Sequence, residues 1–164
     1  MTIRRATLKD AAGVNGVYNP FILESPATFE TTPITETDRR DWLARLQEDP
    51  RYPVLVDENE DGEICGFANA APFDPRRAYG TSVKTSVFVS PASAGAGIGR
   101  ALYQNLFAIL ADQDLHRAYG LIVAPNPASV ALHEAFGFRH VSTLDEVGRK
   151  FGRFHSVMWF EKRL

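Results

Sequence analysis

Cysteine is nearly absent. Cys65 is the only one in 164 residues, and its place in an apolar run reads as a small core residue rather than a nucleophile or metal ligand. Neither sign of charge is in excess: 18 Lys and Arg stand against 20 Asp and Glu, for a net charge of −2. Without a basic run, nothing points to a nucleic-acid partner. No stretch approaches the roughly 18 apolar residues of a membrane span. The opening Met1-Thr2-Ile3-Arg4-Arg5 lacks the apolar core of a signal peptide, so the chain reads as a soluble cytoplasmic protein with no membrane partner. Internal repeats and low-complexity tracts are absent. His116, His140 and His155 show no metal-ligand spacing, and no metal is expected.

Two phosphate-binding motifs are missing as well. The dinucleotide fingerprint needs glycine at its first, third and sixth positions, but here Gly95, Gly97 and Gly99 are followed by Arg100. The nucleoside-triphosphate loop needs Gly-Lys before Ser or Thr, which the chain does not contain. Both nucleotide classes fall away.

What is present is a strand, a glycine loop and a helix in succession. Val83–Val89 is β-rich, Ser90-Pro91 turns the chain, and Gly95-Ala96-Gly97-Ile98-Gly99-Arg100 leads into a helix beginning near Gly97. Ile98, Leu102, Leu106 and Leu110 recur every four residues and so share one face. The first N–H groups of such a helix lack intrahelical partners, and closely spaced glycines let an anion approach them. The chemistry suggested is phosphate binding.

The remaining elements follow from local signals. With 45% hydrophobic residues, the chain can build one sizeable core, and its length fits a single domain over 1–164. Thr2–Ala6 reads as a strand, and Thr7 with Asp10 caps a helix carrying Val14, Val17, Tyr18 and Phe21, which Pro20 should kink or end. Glu24–Pro33 is a loop; Thr35 and Asp38 cap a second helix through Trp42, Leu43 and Leu46, closed by Asp49-Pro50. Tyr52–Asp57 and Ile64–Ala71 form a hairpin about Glu60-Asp61-Gly62, and Pro72–Gly80 is a second loop. His116–Val123 is a strand. Asn126 caps a helix with Pro127 in its first position and Gly137 past its end, after which Phe138–Glu146 and Phe151–Glu161 read as strands joined at Gly148. The expected order is β-α-α-β-β-β-α-β-α-β-β.

That order and these motifs resemble the Gcn5-related N-acetyltransferases (GNAT), and within them the phosphinothricin acetyltransferase group, over nearly the whole chain. The resemblance implies an α/β (α+β) fold, with a mixed, mostly antiparallel sheet of about seven strands and about four helices. It implies acetyl-CoA as cosubstrate: Gly95, Ala96, Gly97, Ile98, Gly99 and Arg100 at the pyrophosphate, Val87, Phe88 and Val89 along the pantetheine arm, and Asn126 at the cofactor. It places His133 near the acetyl group, either stabilising the oxyanion or returning a proton to the thiolate. Arg76, Tyr79, Thr85 and Phe29 fall at the acceptor site, where a guanidinium suits an amino-acid carboxylate. Thr28 and Glu30 lie in the same loop as Phe29, and Glu30 is a spare carboxylate. The resembling enzymes commonly form homodimers.

The chain departs from that pattern at Ala94 and Ala96, where Arg and Lys usually flank the first glycine, and at Ser156, where Asp is common. Lys84 stands where the group has a glutamate taken as general base. Three readings of Lys84 remain: a side chain at the strand edge in solvent, a cation for an acidic group of the substrate, or a base of depressed pKa. An acetyl thioester is already activated, so an enzyme must hold an uncharged amine against it, polarise its carbonyl and remove a proton. The expectation is N-acetylation of a small amino acid or analogue of the phosphinothricin or methionine sulfoximine type by direct transfer. The alternatives are a protein N-terminus or polyamine as acceptor, and a catalytically silent acyl-CoA-binding module.

Overall fold

A computed structural model describes residues 2–164. The elements run β1 (Thr2–Arg5), α1 (Ala11–Glu24), α2 (Glu36–Gln47), β2 (Val54–Glu58), β3 (Ile64–Pro72), β4 (Ser82–Val89), α3 (Ile98–Ala111), β5 (Arg117–Val123), α4 (Pro127–Ala135), β6 (Arg139–Lys150) and β7 (Arg153–Arg163). The expected order of elements is realised in full. Seven strands form one sheet in the order β1-β2-β3-β4-β5-β7-β6. Every neighbouring pair is antiparallel except β4 and β5, which pair in parallel for only Ser82–Lys84 against Arg117–Tyr119. Beyond Lys84 the two central strands part, and that opening positions the site.

Each face of the sheet carries its own core. On one side α3 presents Ile98, Leu102, Leu106 and Leu110, all 6% exposed or less, to Leu55, Ala68 and Val83. On the other, Val14 and Val17 of α1 and Leu43 of α2 meet Val54, Val56 and Phe67. Strand alternation sorts β4 in the same way: Val83, Thr85, Val87 and Val89 point toward α3, whereas Lys84, Ser86 and Phe88 point toward α1 and α2. Among the described residues no helix is long and apolar enough to cross a membrane.

Three local expectations need correction. Of the two expectations for Pro20, a kink or an end, the second fails: α1 runs on to Glu24 and buries Ile22 at 1% exposure. A proline there forfeits one N–H bond, and the helix end gains an unforeseen partner. The buried Lys150 ammonium donates to the carbonyls of Phe21 (3.3 Å), Ser25 (2.8 Å) and Thr28 (2.8 Å). The β6–β7 turn falls at Phe151-Gly152, not at Gly148. Gly148 instead lies within β6, and a Cβ there would stand 2.3 Å from the Phe29 ring, so its lack of a side chain seats that aromatic. Cys65 is half-buried at the edge of the core rather than inside it.

At the start of the chain Asp10 accepts from the Thr7 N–H (2.7 Å) and hydroxyl (3.0 Å), as the capping pattern implied, but through a short 3-10 turn ahead of α1. The Arg4 guanidinium grips the same carboxylate through two 2.8 Å bonds and holds Asp10 down at about 2. This ties β1 to α1.

Candidate active site

The parting of β4 and β5 exposes backbone. Ser90 donates its N–H to the Cys65 carbonyl (2.8 Å), and ladder alternation from that bond turns the backbone groups of Phe88 and Ser86 toward β3. Those of Val87 and Val89 therefore face the gap, where β5 is too distant to pair with them. A cavity of about 290 Å³ fills this gap, walled by Val87 and Val89 on one side, Ile122 and Val123 on the other, and Asn126, Ser129 and His133 at the α4 end. An extended chain bearing amides can add here as a pseudo-strand. All three residues expected along such an arm line the cavity, Val87 and Val89 with free backbone, and Phe88 with its backbone paired to β3 and its ring stacked on Phe67 at 5.5 Å.

At one end of this cavity lies the glycine loop. Gly95 and Gly97 adopt φ values of +82° and +80°, and a Cβ at either would meet only open space. Both glycines are needed for conformation, and neither crowds the approach. Gly97 is the N-cap of α3, and the first closed bond of the helix runs from Ala101 N–H to Gly97 carbonyl at 3.0 Å. The N–H groups of Ile98, Gly99 and Arg100 are thus left to point out of the helix at its positive end, the donor set a pyrophosphate requires. Ala94 and Ala96 are exposed beside them. Asn126 caps α4, its Oδ1 accepting from Ser129 N–H at 3.1 Å, and its amide lines the cavity.

His133 is 4% exposed and fixed at both ring nitrogens. Nδ1 lies 2.8 Å from the Ser129 carbonyl, which can only accept, so Nδ1 carries the proton. Nε2 lies 3.1 Å from the Tyr103 hydroxyl and accepts from it. Burial pushes the imidazole below its usual range, which keeps it neutral at physiological pH. Tyr103, buried completely in α3, also lines the cavity, and burial raises its phenol well above the ordinary value. The sequence singled out His133 alone. The usable group is the pair, and the clue to Tyr103 was its place one residue beyond Leu102 on the inward face of α3.

A second cavity, of about 570 Å³, lies on the α1–α2 side and shares Ser86 and Phe88 with the first. Lys84 lines it, which removes the reading of a strand-edge side chain in solvent: β4 is a central strand and Lys84 is half-buried. Lys84 makes no hydrogen bond or ion pair among the described residues. Glu30, Asn69 and the buried Arg39 line the same space. Thr85 belongs to the first cavity, its hydroxyl donating to the Tyr119 carbonyl at 3.5 Å.

Three expected acceptor residues stand outside both cavities. The Arg76 side chain is 74% exposed and already paired with Asp74 through Nε (2.8 Å) and Nη2 (3.0 Å). Tyr79 packs on Phe73 (5.3 Å), beside Tyr119 and Trp159. Phe29 rests on Gly148 and faces His155 at 6.3 Å. Ser156 gives its hydroxyl oxygen to the Glu146 N–H at 3.1 Å, at the irregularity in β6.

A sheet split between two central strands, with a free helix N-terminus at one end of the split, offers exposed backbone to an extended ligand and unpaired N–H groups to an anion. The family model described as Acetyltransferase (GNAT) family matches residues 17–138, and the chain belongs to that family: it is an acetyltransferase. It is 47% identical over 163 residues to a phosphinothricin N-acetyltransferase of Streptomyces coelicolor, covering 99% of this chain and 95% of that protein. Among solved structures, a ribosomal-protein-alanine N-acetyltransferase from Brucella melitensis superposes with a TM-score of 0.95 at 35% identity, covering both chains fully. A phosphinothricin acetyltransferase from Sinorhizobium meliloti in complex with acetyl-CoA superposes at 0.94, with 30% identity over 99% of this chain and 88% of that one.

Proposed function

We propose that the chain transfers the acetyl group of acetyl-CoA to the amine of a small amino acid or analogue of the phosphinothricin type. The observation that carries this reading is the meeting of two cavities at Ser86 and Phe88, one walled by free backbone and the other lined by Lys84 and Arg39. The cofactor fits the first: Val87 and Val89 face a pantetheine arm, Asn126 lies beside it, and the N–H groups from Ile98 to Arg100 receive the pyrophosphate with Arg100 adjacent. Bound there, acetyl-CoA supplies an activated acyl group. The acceptor enters the second cavity with its amine toward Ser86. Lys84, as a cation, attracts acidic substrates, and Glu30, whose carboxylate makes no hydrogen bond or ion pair among the described residues, accepts the amine proton. On the opposite wall the Tyr103 hydroxyl, hydrogen-bonded to His133 Nε2, would return a proton to the departing thiolate. Two relatives' names support the substrate class, one naming phosphinothricin and another L-methionine sulfoximine, whereas the Brucella melitensis structure names a ribosomal-protein alanine, the peptide alternative.

The test is continuous thiol release from acetyl-CoA with phosphinothricin, methionine sulfoximine, polyamines and an alanine-initiated peptide as acceptors. Release with the amino-acid analogues supports the reading; release with the peptide or polyamines alone overturns it. Lys84→Glu should weaken selection for phosphinothricin over the uncharged-side-chain methionine sulfoximine, and an unchanged ratio removes Lys84 from recognition. We also propose a homodimer. Leu144, Val147, Phe151 and Phe154, 42–60% exposed, leave apolar surface on the β6–β7 hairpin for a second copy to cover.

A further inference from the structure

We propose that Arg39 is the counter-cation for an oxyacid group, carboxylate or phosphinate, of the acceptor. The inference deepens the amino-acid reading given above and rests on it. Arg39 belongs to α2, is 5% exposed and lines the acceptor cavity. Its Nε donates to Asn15 Oδ1 at 2.8 Å, and Asn15 is itself tied to the Ile34 carbonyl at 2.9 Å. The guanidinium lies between two rings, 4.9 Å from the centroid of Tyr18 and 4.7 Å from that of Trp42. Among the described residues neither Nη1 nor Nη2 makes a hydrogen bond, and Nη2 is shut off from solvent.

A buried guanidinium with one of its three nitrogens bonded is an expensive arrangement. Glu30 and Asp38 line the same cavity, yet neither forms an ion pair with Arg39 among the described residues, and Asp38 is engaged by Thr35 at 2.6 Å. Stacking between aromatic rings returns part of the lost hydration, but not the missing acceptors. A hydrocarbon side chain would fill the slot between Tyr18 and Trp42 without the desolvation cost, so packing alone does not account for a charge at this position. An anionic ligand does. A guanidinium pairs strongly with an oxyacid through charge-assisted hydrogen bonds, and rings on both sides hold it in place before the ligand arrives. Arg76, the arginine that sequence reasoning offered for this task, is satisfied by Asp74 and exposed, whereas Arg39 is unsatisfied and inside.

The test compares the wild-type enzyme with Arg39→Met, which keeps the packed stem, and Arg39→Lys, which keeps the charge. Acceptors are phosphinothricin, its α-carboxamide, and methionine sulfoximine, whose side chain is uncharged. Arg39→Met should raise the KM for phosphinothricin by about 10- to 100-fold, with Arg39→Lys between it and wild type, while the KM for acetyl-CoA stays within about twofold. The acceptor lacking the group that Arg39 holds should change by less than about threefold. Insensitivity of the carboxamide assigns the α-carboxylate, and insensitivity of methionine sulfoximine assigns the phosphinate. Equal losses for all three acceptors, or no loss for any, overturn the proposal. Calorimetric titration of the same ligands separates this inference from the catalytic reading. Arg39-dependent binding without turnover leaves the anchor standing and removes the reaction; turnover indifferent to Arg39 does the reverse; absence of binding to wild type overturns the anchor. If Arg39→Met does not fold, Arg39→Lys carries the comparison.

Discussion

Gly120 of β5 makes room for His133, and replacing it with alanine tests whether the buried His133–Tyr103 pair matters. A Cβ at position 120 would stand 2.4 Å from His133 Nε2 and 2.5 Å from Cδ2, whereas ordinary contact begins at 3.4 Å. The ring must retreat by the difference, 3.4 − 2.4 = 1.0 Å. Tyr103, Phe138 and Phe160 pack around it, with ring centroids 5.3, 5.0 and 6.1 Å away, which leaves the cavity it lines as the open direction. Overpacking a core of this kind costs about 1–3 kcal/mol, and leaving a buried hydroxyl without its partner about 1–3 kcal/mol more. The entropy that alanine removes from the unfolded chain returns about 0.4–1 kcal/mol. The expected loss is about 1–5 kcal/mol, a fall in Tm of about 2–20 °C for a domain of this size. Thermal unfolding followed by circular dichroism measures it, with Gly16→Ala in α1, where a Cβ meets nothing within 4 Å, as the control. Acetyl transfer should drop at least about tenfold, because the 3.1 Å bond between Tyr103 and His133 cannot survive the displacement. Adding His133→Ala should recover part of the lost stability by vacating the space. A Gly120→Ala protein that melts within about 2 °C of wild type with unchanged turnover refutes the reasoning.

Lys150→Met removes the ammonium that holds the end of α1 to the loop carrying Thr28, and should cost about 2–3 kcal/mol in denaturant unfolding while raising the acceptor KM more than that for acetyl-CoA. Asp10, held at about 2 against an ordinary 3.8, contributes stability that is fully present above 3.8 and lost as pH falls toward 2. The contribution is about 2 kcal/mol, and Asp10→Asn should flatten that part of the acid profile. Asp57 behaves oppositely. It is 1% exposed with Oδ1 lacking a hydrogen-bond partner among the described residues, and burial pushes its carboxyl up. Its neutral form therefore favours the fold below 3.8 and that advantage is lost as pH rises through the folded value. Asp57→Asn should raise Tm at pH 7 and do little at pH 4.

The parts of the fold legible in the sequence are those set by local signals. The stripe Ile98, Leu102, Leu106 and Leu110, the Asn126-Pro127 start and the Gly137 stop each lie within one element, and each is realised. What escaped depends on contacts distant in the chain. Pro20 was expected to kink or end α1 because nothing near it shows that Lys150, far along the sequence, binds the carbonyls beyond it. Gly148 looked like a turn because a glycine seating an aromatic ring looks, in sequence, like a glycine bending the chain. The site divides similarly. The gap-facing backbone of Val87 and Val89 and the glycine loop before α3 were legible because they need only a strand, a loop and a helix. Arg76 and Arg39 were not distinguishable, since pairing with Asp74 in one case and enclosure by Tyr18 and Trp42 in the other are visible only after folding.

The central claim is that an acetyl group passes from the thioester to an amine held beside Ser86. Carbon-13 NMR of a reaction containing [1-13C]acetyl-CoA and phosphinothricin follows that carbon directly. The account predicts that the thioester resonance is replaced by an amide resonance on the amino acid, at a rate cut at least about tenfold in Gly120→Ala. A label that remains on the thioester, or that appears as free acetate with the amino acid unmodified, contradicts it.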